Sequence, residues 1–186
     1  DYPNVTLVGV IDADVGINLP DFRASERSFQ LLSQVAGRAG RGPKGGDVLI
    51  QTRVPHHHAV RHALTHDYHA FVKQELESRN DPPYPPNLRL VNIVFSGPRE
   101  EQTMEFALEA TKRLRAHIAR DAGAEVTVVG AAPCPIDRIK GRWRWHVLLK
   151  SVHSARLTRA GVWFAERMRP PGQMRVVVDR DPVSLL

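Results

Sequence analysis

The chain has 186 residues, 42% of them hydrophobic and 25% charged, with a formal net charge of +6. That is the balance of a water-soluble globular chain of one or two domains. No apolar run is long enough to span a bilayer, no signal peptide is visible, and the single Cys134 excludes an internal disulfide, so the expected compartment is the cytoplasm. The chain opens on Asp1 rather than Met and runs at once towards an apolar strand, which reads as a piece of a longer protein, a processed terminus being the alternative.

The charge is uneven. Residues 1–81 hold 9 Lys and Arg against 10 Asp and Glu, whereas residues 82–186 hold 17 against 10, a net of +7. A one-sided excess of this kind points to a polyanionic partner, most simply nucleic acid. A merely Arg-rich surface is the plainer alternative.

In chain order, Val5–Ile11 is a near-continuous β-branched run and predicts a strand buried on both faces, as in a parallel sheet. Asp12-Ala13-Asp14 closes it, and residues Gly16 to Pro20 form a loop. Asp21 is placed to cap a helix from about Arg23 to Gly37, with Leu31, Leu32, Val35 and Ala36 on its apolar face. A Gly-rich break leads to a second apolar strand at Asp47–Thr52, then to two short helices, about Ala59–Leu64 and Tyr68–Arg79. This order indicates an α/β unit. The segment Asp81-Pro82-Pro83-Tyr84-Pro85-Pro86 cannot be helical and coincides with the change of charge, so it divides the chain into domains 1–81 and 82–186.

Beyond it the pattern predicts a strand (Leu88–Phe95) and a helix (Glu100–Arg120) with Met104, Leu108, Thr111, Leu114 and Ile118 on one face. A strand (Glu125–Val129), a Pro-containing connection and a strand (Arg142–Lys150) follow. A helix (Ala155–Met168) and a strand (Met174–Asp179) close the chain. The order β-α-β-β-α-β is the split pattern of ferredoxin-like domains and by itself says nothing about function.

The sharpest chemical signal is Gln34-Val35-Ala36-Gly37-Arg38-Ala39-Gly40-Arg41, at a helix end in the α/β unit. Two arginines separated by small residues can converge on one anion, and a guanidinium fork binds phosphate oxygens bidentately without ever losing its charge. In phosphoryl transfer such an arginine stabilises the charge on the transferred group, worth about 10³–10⁵ in rate. Gln34 can bond a phosphate or orient water. The block has the form Q-x-x-G-R-x-G-R, which resembles the sixth motif of superfamily-two helicases.

With its flanks, Val5–Asp14 and Asn18–Arg27, the block resembles the bacterial primosomal replication-restart helicases, the primosomal protein N-prime family. The resemblance continues through Gly46–Thr52, Tyr84-Pro85-Pro86, Gly141-Arg142-Trp143-Arg144-Trp145 and Val178–Pro182, nearly the whole chain. It implies that residues 1–81 are the end of a second RecA-like lobe and that residues 82–186 are a DNA-fork-binding domain. It also implies an enzyme that unwinds DNA 3′-to-5′ with ATP and magnesium at stalled forks. The partners implied are forked or single-stranded DNA, other primosome proteins and single-stranded DNA-binding protein. Gln34, Gly37, Arg38 and Arg41 then contact ATP, Arg41 being the finger. Asp12 and Asp14, after the strand of the fifth motif, either couple ATP to DNA or form a structural turn. No G-x-x-x-x-G-K-[ST] loop or D-E-x-H block occurs in these residues, and one cysteine cannot make the family's zinc site. Those parts are expected upstream, and the chain alone is expected to be inactive. The alternative is a non-catalytic DNA-binding primosome component with a decayed motor.

Arg138, Lys140, Arg142, Arg144 and Lys150, interleaved with Trp143 and Trp145, form the second cluster. Alternation along a strand places Arg142, Arg144, His146 and Lys150 on one face, expected to bind DNA, and Trp143, Trp145, Val147 and Leu149 on the other, expected to be core. His56-His57-His58 matches no metal-ligand spacing and is expected in an exposed loop. Cys134 is expected to be structural.

Overall fold

The structure is a computed structural model, and it describes residues 5–37, 46–121 and 125–186. It is a mixed α/β chain with a two-stranded parallel sheet and a four-stranded antiparallel sheet. The chain divides into two compact units, residues 1–81 and 82–186.

In the first unit, β1 (Leu7–Val10) pairs in parallel with β2 (Asp47–Ile50). Helices α1 (Asp14–Ile17) and α2 (Ala24–Ala36) lie between them in sequence, and α3 (His58–Leu64) and α4 (Tyr68–Ser78) follow. Val10 and Ile50 pack onto a core made by Ala13, Phe29, Leu32, Ala59, Val60, Ala63 and Phe71, in which the Phe29 and Phe71 rings stack at 4.0 Å. The strand expected to be buried on both faces is buried on one. Leu7, Ile11 and Leu49 are 64%, 85% and 67% exposed, because among the described residues only the face carrying Val10 and Ile50 is packed.

Two loop expectations are also corrected. Asp14–Ile17 forms a helical turn rather than leaving Gly16 in a loop. Asp21 binds the Arg23 amide (2.8 Å) and the Arg27 guanidinium (3.3 Å) just ahead of α2, whose N-cap is Arg23 itself. Of the three histidines, only His56 is exposed. His57 caps α3, its Nδ1 accepting the Ala59 amide, and the half-buried His58 places Nε2 2.8 Å from Glu75. The sequence conceals this because the acid that positions His58 comes from α4.

Glu75 is the centre of a buried ionic knot. Arg79 donates to it from Nε (2.9 Å) and Nη2 (2.6 Å), and the same Nη2 reaches Glu26 of α2 at 2.9 Å. Burial raises the Glu75 pKa, but the hydrogen bonds from His58 and Arg79 outweigh it and hold the carboxyl below its ordinary value. Burial and the neighbouring His58 lower the His57 pKa, which suits a ring that must stay neutral to accept a hydrogen bond.

In the second unit, β3 (Arg89–Gly97), α5 (Glu100–Arg120), β4 (Thr127–Ile139), β5 (Arg142–Ser151), α6 (Ser154–Arg167) and β6 (Arg175–Arg180) follow in order. The sheet order is β4-β5-β3-β6 with every pairing antiparallel, so the first and third strands of this unit are the central pair. One face carries the core: Val91, Ile93 and Phe95 of β3, Val147 and Leu149 of β5, and Leu114, Leu157 and Phe164 from the helices. On α5 the buried stripe is Thr103, Ala107, Ala110, Thr111, Leu114 and Ile118, whereas Leu108, expected inside, is 48% exposed. Small Ala residues bring the helix close to the sheet, and Thr103 and Thr111 satisfy their hydroxyls on carbonyls four residues back.

The expected Pro-containing connection is instead part of β4, which runs through Pro133 and Pro135. β4 is an edge strand, where a missing amide proton removes no necessary ladder bond, and register shifts after Gly130 and Pro133 absorb the misfit. Lys140 and Gly141, both at positive φ (49° and 76°), make the two-residue turn into β5, the twist that suits a tight hairpin.

Glu75→Ala should cost about 3–5 kcal/mol, the penalty for leaving a buried ion unpaired. Both Glu75 and His57 have folded-state pKa values below their unfolded values, so each contributes stability at higher pH that is lost as pH falls. The first unit should therefore weaken below about pH 6.5 and again below about pH 4.5. All three tryptophans lie in residues 82–186, so acid and denaturant melts followed by circular dichroism and by Trp fluorescence separate the two units. A Glu75→Ala melt equal to the parent's would refute the assignment.

Candidate functional site

The segment expected to contact a nucleotide begins at the end of α2. Gln34 is exposed in its last turn, and Gly37 caps the helix with its amide on the Ser33 carbonyl at 3.0 Å. Arg38 and Arg41 lie outside the described residues. The two acids after β1 are separated by their surroundings. Asp12 is exposed at φ 53°. Asp14 is buried, accepting the Thr52 hydroxyl on one carboxylate oxygen and the Arg53 amide, 2.9 Å, on the other. These two bonds, Thr52 first, lower the Asp14 pKa. Asp14 thus ties the end of β1 to the end of β2.

In the second unit the strand alternation holds, but the five cations do not form one patch. Arg142, Arg144 and Lys150 share the sheet face away from the helices, and Arg138, opposite Trp143 across the hairpin, sits on the other. Lys140 is exposed at the turn. Arg142 Nη2 donates to the carbonyls of Ser96 (2.9 Å) and Gln173 (2.6 Å), binding β5 to β3 and to the loop before β6. Arg144 donates to the Ile136 carbonyl at 3.0 Å. Lys150 lies 3.6 Å from the Tyr84 ring centre and reaches the Pro83 carbonyl at 3.4 Å, holding the proline segment against the sheet. Three of the five therefore also serve as internal ties.

The two tryptophans part company. Trp145 packs against the main core, while the Trp143 ring lies under the Arg138 guanidinium at 5.0 Å. Cys134 is buried and its thiol is pushed up to about 11 by burial, so it is not a thiolate at neutral pH. Burial and the Arg144 charge lower the His146 pKa.

One candidate was missed in the sequence. Arg175 of β6 is exposed and stands in register with Ser96, which is also the register partner of Arg144. Arg144 and Arg175 thus flank β3 on one face, about 9.6 Å apart at ordinary strand spacing. The alternation Arg175, Val177, Asp179 was the available signal.

Trp145→Ala should destabilise the second unit by about 3–5 kcal/mol and Trp143→Ala by about 0.5–2, the range of a cation–π contact. Arg142→Ala should cost about 1.5–3 kcal/mol, and Arg142→Lys should not restore it, since an ammonium cannot reproduce the guanidinium fork. Denaturant melts followed by Trp fluorescence test this. Equal losses at Trp143 and Trp145 would contradict the packing.

Residues 80–183 match the family described as primosomal protein N C-terminal domain. Over 158 residues the chain is 40% identical to the replication restart protein PriA of Bacillus subtilis (strain 168), covering 85% of this chain and 19% of that protein. The replication restart proteins PriA of Treponema pallidum (strain Nichols) and Synechocystis sp. (strain ATCC 27184 / PCC 6803 / Kazusa) are 38% and 36% identical over 100% of this chain, or 28% and 22% of theirs. The chain thus spans 19% to 28% of the length of these relatives. It belongs to the primosomal protein N (PriA) replication-restart family, and residues 80–183 are its C-terminal domain.

Proposed function

We propose that the chain is part of an ATP-dependent, 3′-to-5′ DNA helicase of the superfamily-two type that acts in replication restart and primosome assembly in the cytoplasm. Residues 1–81 act as the end of its second RecA-like lobe, and residues 82–186 hold forked or single-stranded DNA. The observation that carries the reading is likeness over the whole of this chain to parts of proteins named for replication restart, with the Gln34–Arg41 block intact. The parallel pair β1 and β2, with α2 between them in sequence, supports this reading, since RecA-like sheets are built from such crossovers, and the block begins in the last turn of α2.

In this reading Gln34, Gly37, Arg38 and Arg41 contact ATP, with Arg41 steadying the transferred phosphoryl group. Exposure of Gln34 suits that role. Magnesium and the phosphate loop belong to an upstream part, as does any zinc. Single-stranded DNA-binding protein and other primosome proteins are the expected protein partners. On DNA, Lys140 and Arg175 are the cations most available to phosphates, since both are exposed, while Arg142, Arg144 and Lys150 combine contact with internal bonding and Arg138 lies over the Trp143 ring.

The 186-residue chain alone should show no DNA-stimulated ATP turnover, because arginines supply neither metal nor phosphate cradle. In the complete protein, Arg41→Ala should lower kcat by about 10³-fold or more with DNA affinity nearly unchanged. An unchanged kcat removes Arg41 from the role. For the chain on labelled duplex forks, Lys140→Ala with Arg175→Ala should flatten the log–log salt slope by about 1.8 units, at about 0.9 per phosphate. An unchanged slope moves the contact elsewhere.

A further inference from the structure

The helix layer of the second unit carries its own concentration of positive charge, on the opposite side of the sheet from Arg144 and Lys150. Between Lys112 and Arg120, α5 has four Lys and Arg and no acid. This stretch meets α6 at a groove of about 490 Å³ whose lining includes Arg113, His117, Arg120, Trp163 and Arg167. No acidic side chain lines it.

At its centre the His117 imidazole lies flat on the Trp163 indole, ring centres 4.0 Å apart and planes 4° from parallel. Trp163 is half-buried with one side against the core, so the stack is anchored from below and open to the groove. The surrounding arginines are little engaged. Among the described residues Arg113 pairs with Glu109 of its own helix, on a surface where such a pair is worth little. Arg120 and Arg167 are exposed and have no ion pair among the described residues.

Like charges gathered in a concave site raise the local potential and attract an anion. Guanidinium groups match phosphate oxygens, and an aromatic platform contributes only to a base that is free of its own stack. That combination selects a single strand over a duplex, and a phosphodiester over a plain carboxylate ligand, which would leave the ring stack unused.

We propose that the groove between α5 and α6 is a second nucleic-acid site that binds single-stranded nucleic acid, Arg120 and Arg167 holding phosphates while a base extends the His117–Trp163 stack. The site does not depend on the hairpin or on the motor reading, since it uses different residues on the other side of the sheet.

The test is fluorescence anisotropy of the 186-residue chain with labelled oligothymidylate at several salt concentrations. Arg120→Ala with Arg167→Ala should flatten the log–log salt slope by about 1.4 units, at about 0.7 per phosphate on a single strand. Both positions are exposed, so the Trp-fluorescence melt should shift by no more than the small contribution that each charge makes at its helix C-terminus. His117→Ala should weaken binding about five- to hundredfold. Photocrosslinking with oligonucleotides containing 4-thiothymidine should place adducts on His117 or Trp163, and Lys140→Ala with Arg175→Ala should leave those adducts in place. An unchanged slope in the Arg120/Arg167 variant, or adducts confined to residues 138–144, overturns the site. Binding of a polyglutamate peptide that depends on Arg120 and Arg167, with no binding of oligothymidylate, overturns its assignment to nucleic acid.

Discussion

The pairing of β3 on both edges is the constraint on which residues 82–186 depend. With β5 on one side and β6 on the other, every amide and carbonyl in the middle of β3 has a ladder partner, and its side chains must divide strictly between two faces. Val91, Ile93 and Phe95 go to the helices, and that choice fixes the register of β5, so Trp145, Val147 and Leu149 follow them inward. Arg142, Arg144 and Lys150 are on the other face because of this registration. A slip of one residue would put three cations in the core.

The same registration explains why the cations of β5 are not free agents. A basic strand beside a central strand lies within reach of carbonyls at the ends of its neighbours, and Arg142 and Arg144 use that reach. A guanidinium with five donors can bond a carbonyl and still present N–H groups to a phosphate. Internal anchoring therefore orders these side chains in advance and lowers the entropy lost on binding. It also means that an Arg142 variant would lose stability along with any proposed DNA contact, whereas variants of the exposed Lys140 and Arg175 would test the proposed contact alone.

Much of the fold was legible because it rests on local signals. The Pro segment at 81–86, the bounds of α5 and the alternation of β5 follow from backbone chemistry and periodicity within a few residues. What escaped depends on partners far away in sequence. His58 looked like part of an exposed run because Glu75 is 17 residues on, and Pro133 and Pro135 looked like a connection because edge position cannot be read from the strand itself. The open side of β1 was misjudged for a related reason: an apolar run tells that a face is to be covered, not which residues cover it. The proposed site residues divide likewise. The Gln34–Arg41 block is contiguous and can be picked out from sequence alone, while the His117–Trp163 stack joins residues 46 apart on two helices and has no sequence signature.

The cations of α5 bear on this last point, because helices have an internal reason to carry them. The partial negative charge at a helix C-terminus favours Lys and Arg in the last turn, as the partial positive charge favours acids in the first. On α5 that accounts for Glu100 and Glu101 at the start and for His117 and Arg120 at the end. It does not reach Lys112, Arg113 and Arg115, which lie one to two turns earlier, where the dipole has faded. Nor does i,i+4 pairing account for all three, since Arg113 alone finds an acid, Glu109, on its own helix. Arg115 donates instead to the Gly130 carbonyl and so serves β4. On α6, Arg167 belongs to the last turn, so its charge is favoured there for structural reasons. Its location across from Arg113 is not explained by the dipole of either helix. What remains after each structural cause is subtracted is a convergence of guanidinium groups from two helices around one aromatic stack, and mutual repulsion among them is relieved most directly by an anion.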